Sequence, residues 1–434
     1  MNKTILPGPR SGAADIPASK SRAHRLMICA ALGAGKTELR CRGISRDIQA
    51  TADCLRGMGA GVNLQGERIL IAPVQDPPAG AVTLPCGESG STLRFLLPVV
   101  GALGLEGHFR MEGRLPQRPL QPLGELLESR GMRLRQEGEK LFFSGRLRAG
   151  EYSIAGNISS QYVSGLLFAL PLLEGESRLT VTGRMESADY IAMTEDALAL
   201  FGVKTQREAD GRAWHIPGRG SGPERTAPRC IRVEADWSSG AFLLAMGALS
   251  PAGITVRGLD SDSLQGDRRI LGLLEAFGAR VSRNSEEITV RKGEIRAQRI
   301  DASDIPDLVP VLAAIAALAE GETVIHHAER LRMKESDRLQ TTCAMLTALG
   351  GDILQTEDGL RIRGRQRLRG GTVSSFLDHR IAMAAAVAAG GCEAPVEVEG
   401  AECTEKSFPG FWEILQNLTT DSGTNGSKQP QSGI

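Results

Sequence analysis

One pattern, repeated six times along 434 residues, limits this chain more than any other feature. Half of it is a helix end running apolar–Leu–x–x–x–Gly, seen in CLRGMGAGV, LLESRGMRL, ALALFGVKT, LLEAFGARV and MLTALGGDI. Its glycines, Gly59, Gly131, Gly202, Gly278 and Gly350, lie 72, 71, 76 and 72 residues apart. The other half is an apolar helix, a small turn and a strand, as in LMICAALGAGKTELR, FLLPVVGALGLEGHFRM and VLAAIAALAEGETVI. Its turn glycines, Gly35, Gly107, Gly175, Gly253, Gly321 and Gly391, are separated by 72, 68, 78, 68 and 70 residues. A fixed period of this kind marks copies of one supersecondary unit.

Each unit holds two helices alternating with short strands, and Gly supplies the left-handed residue that ends a helix. The second helix of each unit is apolar nearly all round, so it belongs inside its domain, with the sheets outside. Six units do not make a TIM barrel, which needs eight shorter ones. No GxGxxG occurs, which argues against a dinucleotide-binding Rossmann domain. The fold class predicted is therefore α/β, six repeated units of about 70 residues with helices inside and sheets outside. Near the midpoint, residues 207–230 are rich in Gly, Pro and Arg and predict an irregular excursion at a domain boundary. Residues 417–434 are polar and predict a disordered tail.

Lys+Arg and Asp+Glu number 51 each and cancel. That balance argues against a nucleic-acid coat or a membrane-surface protein, and 4% aromatic residues against base-stacking platforms. The eight cysteines are scattered and form no CxxC pair, so no zinc ribbon or thioredoxin-type motif is present. The start, MNKTILPGPRSG, lacks the apolar run of a signal peptide, and no uncharged apolar stretch reads as a membrane span. A reducing cytoplasm is the expected location.

The segments ahead of the six apolar helices carry the chemistry. They read PASKSRAHR (17–25), CGESGSTLR (86–94), NISSQYVSG (157–165), EADWSSGAF (234–242), DASDIPDLV (301–309) and SFLDHRIAM (375–383). Capping explains Ser or Asp at a helix N-terminus. It does not explain Lys20, Arg25, Arg94, His379 and Arg380, because cations oppose the dipole there. An anion held by the free N–H groups reconciles the two. Arg118 beside a proline, Lys334, Glu335 and Arg338 at i, i+4 spacing on one helical face, and Lys406 ahead of a proline turn add further charge. GAGKT (33–37) lacks the first glycine and the strand–helix order of a P-loop, and reads as structural. His326-His327 also reads as structural: adjacent strand residues face opposite ways and no carboxylate or Cys lies at ligand spacing in sequence.

Taken together, these residues resemble the 5-enolpyruvylshikimate-3-phosphate synthase family of enolpyruvyl transferases over about residues 5–415. The motifs are SKSxxxR at 19–25, ESGSTLRF at 88–95, RP at 118–119, SSQ at 159–161, SxxY at 187–190, QGD at 265–267, IPD at 305–307, KESDR at 334–338, DHR at 378–380 and CTxKSFP at 403–409. The resemblance implies two domains of three units each around a cleft, with a first domain of 1–17 plus 233–416 and a second of 18–232. It implies transfer of enolpyruvyl from phosphoenolpyruvate to the 5-hydroxyl of shikimate 3-phosphate, by a monomer, with no metal or organic cofactor. Shikimate 3-phosphate would meet Lys20, Ser21, Arg25, Ser159, Ser160, Ser187, Tyr190, Asp307 and Lys334. Phosphoenolpyruvate would meet Lys20, Gly90, Arg118, Gln161, Arg338, Arg380 and Lys406. Asp307 would accept the hydroxyl proton, Glu335 would be the acid toward the methylene carbon, and Lys20 would lie near both substrates. Surrounding cations should keep Asp307 ionised, and anionic substrate should favour a protonated Glu335.

Three positions depart from the family's usual residues: Ala18 for Gly, Glu88 for Asn and Arg330 for Asn. Glu88 would bring negative charge near phosphoenolpyruvate unless a cation such as Arg94 pairs with it. Gly90 stands where an Ala hinders glyphosate in tolerant members, so inhibition is expected. The sister enzyme acting on UDP-N-acetylglucosamine typically has Asn after its first Lys and a Cys before its Arg-Pro; here Ser21 follows Lys20 and the loop GRLPQRP has no Cys. A non-catalytic scaffold would have no use for Asp307 with Glu335, and an RNA 3′-phosphate cyclase is disfavoured by neutral charge and few aromatics.

Overall fold

The structure, a computed structural model, describes residues 1–220 and 226–420. Twelve α-helices among these residues alternate along the chain between buried and outer positions. The buried set is Lys20–Ala31, Gly90–Leu103, Ser160–Ala169, Trp237–Ala248, Val309–Ala316 and His379–Ala388. All ten residues of the His379–Ala388 helix are buried, and so are all but Ser238 in Trp237–Ala248. Helices apolar on every side have no face to give to water, so the sheets wrap them. The outer set, Arg46–Gly57, Leu123–Ser129, Ala188–Leu200, Ile270–Phe277, Arg338–Ala348 and Phe411–Asn417, closes the repeats. The five glycines predicted to follow these helices all have positive φ, as at Gly59 (99°) and Gly131 (110°), a region L side chains avoid.

Among the described residues, five of six sheets follow one plan: two parallel strands flanking a buried helix, then an antiparallel hairpin. Val82–Gly87, for example, runs parallel to Gly107–Met111, which pairs antiparallel with Lys140–Gly145 and through it with Met132–Glu137. The sixth sheet has three strands, and its third is Asn2–Ile5, antiparallel to Val396–Glu399. The amino terminus thus fills the place of the hairpin in the last repeat.

The buried apolar residues form two clusters. One joins Ile5–Ile16 with Ala235–Leu418; the other runs from Ala18 to Val233. Two strands are exchanged between the halves: Arg10–Asp15 pairs parallel with Ile254–Arg257, and Cys230–Arg232 with Thr37–Arg40. The chain crosses between halves at two adjacent points, where the Ser19 N–H donates to Glu234 O (2.7 Å) and the Asp236 N–H to Pro17 O (2.9 Å). No helix among the described residues is long and apolar enough to cross a membrane.

Two expectations need correction. The stretch 207–230 is not irregular throughout, because Ala213–Ile216 is a strand pairing with Ser177–Thr182, its Trp214 fully buried. Residues 221–225 of that stretch lie outside the described residues. The expected disordered tail begins too early: Leu418 is buried, and Thr419 and Thr420 pair with Ser11 and Arg10. Its remainder, 421–434, lies outside the described residues.

Candidate active site

The amino termini of the buried helices face a cleft between the two halves. Ser19 Oγ accepts from the Arg22 N–H, Ser89 Oγ from Thr92, Ser159 Oγ from Gln161, Asp236 Oδ1 from Ser239 and Asp378 Oδ1 from Arg380. Capping therefore operates at five of these six ends, and the cations stand among the caps. One half contributes Lys20, Ser21, Arg25, Gly90, Arg118, Ser159, Ser160, Gln161, Ser187 and Tyr190; the other faces them with Asp307, Lys334, Glu335, Arg338 and Arg380. Lys406 stands in an adjoining recess that shares Arg118 and Glu335 with the cleft.

Arg338 organises one wall. Its guanidinium, 1% exposed, donates to Asp307 Oδ1 (2.6 Å), Glu335 Oε2 (2.7 Å) and Asp378 Oδ2 (2.9 Å). Arg380 Nη2 reaches the other oxygen of Asp307 at 3.2 Å, and Lys334 Nζ lies 3.6 Å from Oδ1. Burial pushes the Asp307 carboxyl up, but Arg380, Lys334 and Arg338 outweigh it and hold the group well below the usual carboxylate range. Glu335 is likewise pushed up by burial and held well below by Arg338, Arg118 and Lys406. Burial brings Lys334 down to about 8 against the pull of Asp307.

On the facing wall, Arg25 is 1% exposed and fully engaged. It donates to Thr194 Oγ1, Ser21 O and Tyr190 O, each at 2.8 Å, and stacks over the Phe95 ring at 4.9 Å. Gln161 is fixed at both ends: its Oε1 accepts from Arg94 Nη1 and its Nε2 donates to Ser91 Oγ, both at 2.9 Å. Gly90 lets two guanidiniums come close, since a Cβ there would lie 2.7 Å from Arg94 Nη1 and 2.9 Å from Arg118 Nη1. Several of these donors are orphaned. Arg94 Nε, Arg118 Nε and Arg380 Nε are buried without a protein acceptor, and both ring nitrogens of His379 are buried without a partner. Buried donors without acceptors are costly, and these residues all line the cleft.

Protein carboxylates bridge the cleft. Arg118 Nη1 lies 3.5 Å from Glu335 Oε1 and Lys406 Nζ 3.0 Å from Glu88 Oε2. Arg330 pairs with Glu186 and donates to Ser187 Oγ at 3.2 Å, while the Ser187 N–H donates to Asp304 Oδ1 at 3.1 Å. Lys20 Nζ meets Asp47 Oδ2 at 3.0 Å, and its backbone N–H donates to Asp236. Lys20, Arg118, Arg330 and Lys406 thus each pair with an acid of the chain itself.

Comparison with known proteins gives this cleft its context. The family model described as EPSP synthase (3-phosphoshikimate 1-carboxyvinyltransferase) matches residues 7–415. A 3-phosphoshikimate 1-carboxyvinyltransferase of Clostridium kluyveri is 41% identical over 417 residues, 96% of either chain. The chain belongs to the EPSP synthase family. Among solved structures, an EPSP synthase from Acinetobacter baumannii superposes with a TM-score of 0.77 at 27% identity, covering 96% of this chain and 97% of that one. An enolpyruvyl transferase from Streptomyces tendae shares the fold at a TM-score of 0.77 and 19% identity, over 97% of each chain.

Two sequence expectations about this EPSP synthase family member fail in detail, and a third, that a cation pairs with Glu88, is met by a residue other than the example given. Lys334, Glu335 and Arg338 do not share a helical face: a 3₁₀ turn ends at Met333, Lys334 is extended, and the helix starts only at Arg338, capped by Asp337. Glu88 is paired by Lys406 and not by Arg94, whose Nη1 and Nη2 go to Gln161 and Pro119 O. The two rings of His326 and His327 do not point apart. His327 takes a left-handed φ of 56° just past its strand, its Nδ1 lies 3.2 Å from His326 Nδ1, and Asp301 Oδ2 stands 3.0 Å away. Sequence reasoning also passed over Asp47 and Asp378. An Asp in a helix's first turn reads as an ordinary cap, and only the folded cleft shows Asp47 on Lys20 and Asp378 on Arg338.

Proposed function

We propose that this cleft transfers the enolpyruvyl group of phosphoenolpyruvate to the 5-hydroxyl of shikimate 3-phosphate, releasing phosphate. The observation that carries the reading is the gathering of buried, acceptor-less guanidinium N–H groups among seven cations, Lys20, Arg25, Arg118, Lys334, Arg338, Arg380 and Lys406, in a chain of zero net charge. Each substrate brings a phosphate and a carboxylate, four anionic groups in all, and Arg pairs with such groups in bidentate fashion. In this reading the chain is a cytoplasmic monomer whose domains divide at 17/18 and 232/233. The exchanged strands and separate cores support that division, although Val233 packs with the 18–232 half.

Shikimate 3-phosphate takes Lys20, Ser21, Arg25, Ser159, Ser160, Ser187, Tyr190, Asp307 and Lys334; phosphoenolpyruvate takes Lys20, Gly90, Arg118, Gln161, Arg338, Arg380 and Lys406. Asp307, ionised among its cations, accepts the proton of the 5-hydroxyl as oxygen attacks C2. Glu335 gives a proton to C3, then takes one back from the resulting methyl group as phosphate leaves against the cations. The cations that hold Glu335 ionised, Arg338, Arg118 and Lys406, are those assigned to phosphoenolpyruvate. Neutralised by that substrate, they release a still-buried carboxyl, whose pKa rises until it can act as an acid. Arg330, standing on Ser187, adds an eighth cation beside the sugar-phosphate subsite.

Gly90→Ala is expected to push the Arg118 and Arg94 guanidiniums aside and raise the KM for phosphoenolpyruvate roughly tenfold, with a smaller change in kcat. Steady-state kinetics at saturating shikimate 3-phosphate check this. Glu88→Gln frees Lys406 and is expected to lower that KM severalfold, by less at high salt, because Glu88 is 43% exposed and screened. An unchanged KM would detach Lys406 from phosphoenolpyruvate. The function itself is tested by phosphate release from phosphoenolpyruvate with shikimate 3-phosphate or UDP-N-acetylglucosamine as acceptor. Release with the first alone is expected; release with the second alone would transfer the chain to the sister reaction. Release with neither, by folded protein that binds shikimate 3-phosphate, would leave a scaffold.

A further inference from the structure

We propose that Asp301, His326 and His327 form a transition-metal site of the two-histidine, one-carboxylate type, suited to Zn²⁺. The site lies outside the cleft and supplies nothing to the transfer reaction. Asp301 ends the strand Arg299–Asp301 and His326 ends the neighbouring parallel strand Glu322–His326, where the two are register partners. A regular strand would send the next side chain to the opposite face. The left-handed backbone of His327 brings its ring back instead, so that its Nδ1 lies 3.2 Å from His326 Nδ1 and 3.0 Å from Asp301 Oδ2. All three ligand atoms fall within 4.8 Å of one another.

The 3.2 and 3.0 Å spacings about His327 Nδ1 fit a metal. Bonds of about 2.0–2.1 Å to a tetrahedral Zn²⁺ put neighbouring ligand atoms about 3.3 Å apart. Imidazole nitrogen and carboxylate oxygen are donors that a borderline ion accepts. With each ring keeping its proton on Nε2, both Nδ1 atoms and Asp301 Oδ2 are free to donate lone pairs. The metal then replaces the N–H that one ring otherwise places there, so binding competes with a proton.

Supporting contacts hold the ligands in place. Asp301 Oδ1 is already used, accepting from the Ser303 N–H at 2.9 Å, which leaves Oδ2 for the ion. Asp358 Oδ2 accepts from the His327 N–H at 3.2 Å, and Asp358 O from the Ala328 N–H at 2.7 Å, fixing the unusual backbone. The side chains of Asp301 and His327 are each 46% exposed, so an ion can enter and keep water in its remaining position. Asp301 precedes Asp307 by six residues and His327 precedes Lys334 by seven, so an ion would tie together the bases of two loops that reach the cleft.

Calorimetric titration of the full chain with Zn²⁺ in a non-chelating buffer tests the site, alongside thermal melts. The wild type is expected to bind a single equivalent saturably, and its Tm to rise with Zn²⁺ concentration. His327→Asn, which tolerates the left-handed backbone, and His326→Ala, which leaves that backbone alone, are each expected to weaken binding at least tenfold and to remove the Tm response. Absence of saturable binding by the wild type up to about millimolar Zn²⁺ would reduce the cluster to a hydrogen-bonded surface triad. Binding unchanged in both variants would overturn the assignment and move the metal elsewhere.

Discussion

Arg338→Ala is expected to lower the stability of the fold by about 3–5 kcal/mol at neutral pH, the range for removing one partner of a buried ion pair. The guanidinium is 1% exposed and satisfies Asp307, Glu335 and Asp378 together. Without it, three carboxylates share a largely buried wall with only Arg380 and Lys334 close to Asp307. The pH dependence has a definite sign. In the wild type Asp307, Glu335 and Asp378 all titrate below their usual range, despite the upward push of burial, because cations led by Arg380 or Arg338 surround them. Their contribution is complete above the ordinary carboxyl pKa of about 4 and is lost as pH falls through the lowered values. In the variant those carboxyls rise and protonate earlier. The stability gap between the two proteins should therefore be widest near neutrality and narrow toward pH ~4. Urea denaturation across that range measures it, and a gap independent of pH would remove the carboxylates from the explanation. Arg338→Lys keeps the charge without the fork and should fall between.

The second large effect is kinetic. Glu335→Gln and Asp307→Asn are each expected to reduce kcat by about 10²–10⁴-fold, the usual worth of a positioned acid or base. They should differ in KM. Glu335→Gln removes the acid that occupies Arg118 and Arg338, so phosphoenolpyruvate should bind as well as before or better. Asp307→Asn leaves Arg380 and Lys334 less constrained and should raise the KM for shikimate 3-phosphate. A Glu335→Gln enzyme with near-normal kcat would remove Glu335 from proton transfer to C3.

Much of this architecture is legible in the sequence itself. The repeat period counted the units, and helices apolar on every face could only be interior. Cations placed against a helix dipole, Lys20, Arg25, Arg94, His379 and Arg380, all line the one cleft. What escaped was set by tertiary contact. The i, i+4 spacing of Lys334 and Arg338 suggested one helical face, yet Asp337 caps the helix just before Arg338, and Lys334 reaches Asp307 from an extended strand of chain. Glu88 looked like an obstacle to phosphoenolpyruvate because Lys406, 318 residues away, could not be placed beside it. His327 defeated the strand alternation rule because its backbone turns left-handed, which a histidine in sequence does not announce. Local propensity and spacing carried the elements; pairings between the halves needed the fold.

The central claim, that enolpyruvyl transfer here runs through protonation of C3 by Glu335, is tested most directly by running the reaction in D₂O. Phosphoenolpyruvate and shikimate 3-phosphate would be turned over, phosphate counted, and the product's methylene group read by mass spectrometry. The account predicts phosphate release accompanied by deuterium in a large fraction of the product's methylene groups, because C3 becomes a CH2D methyl that loses one of its three hydrogens as phosphate leaves, and it predicts that Glu335→Gln loses this incorporation. Phosphate release with no deuterium at C3, or incorporation that persists in Glu335→Gln while Asp307→Ala abolishes it, would contradict the account.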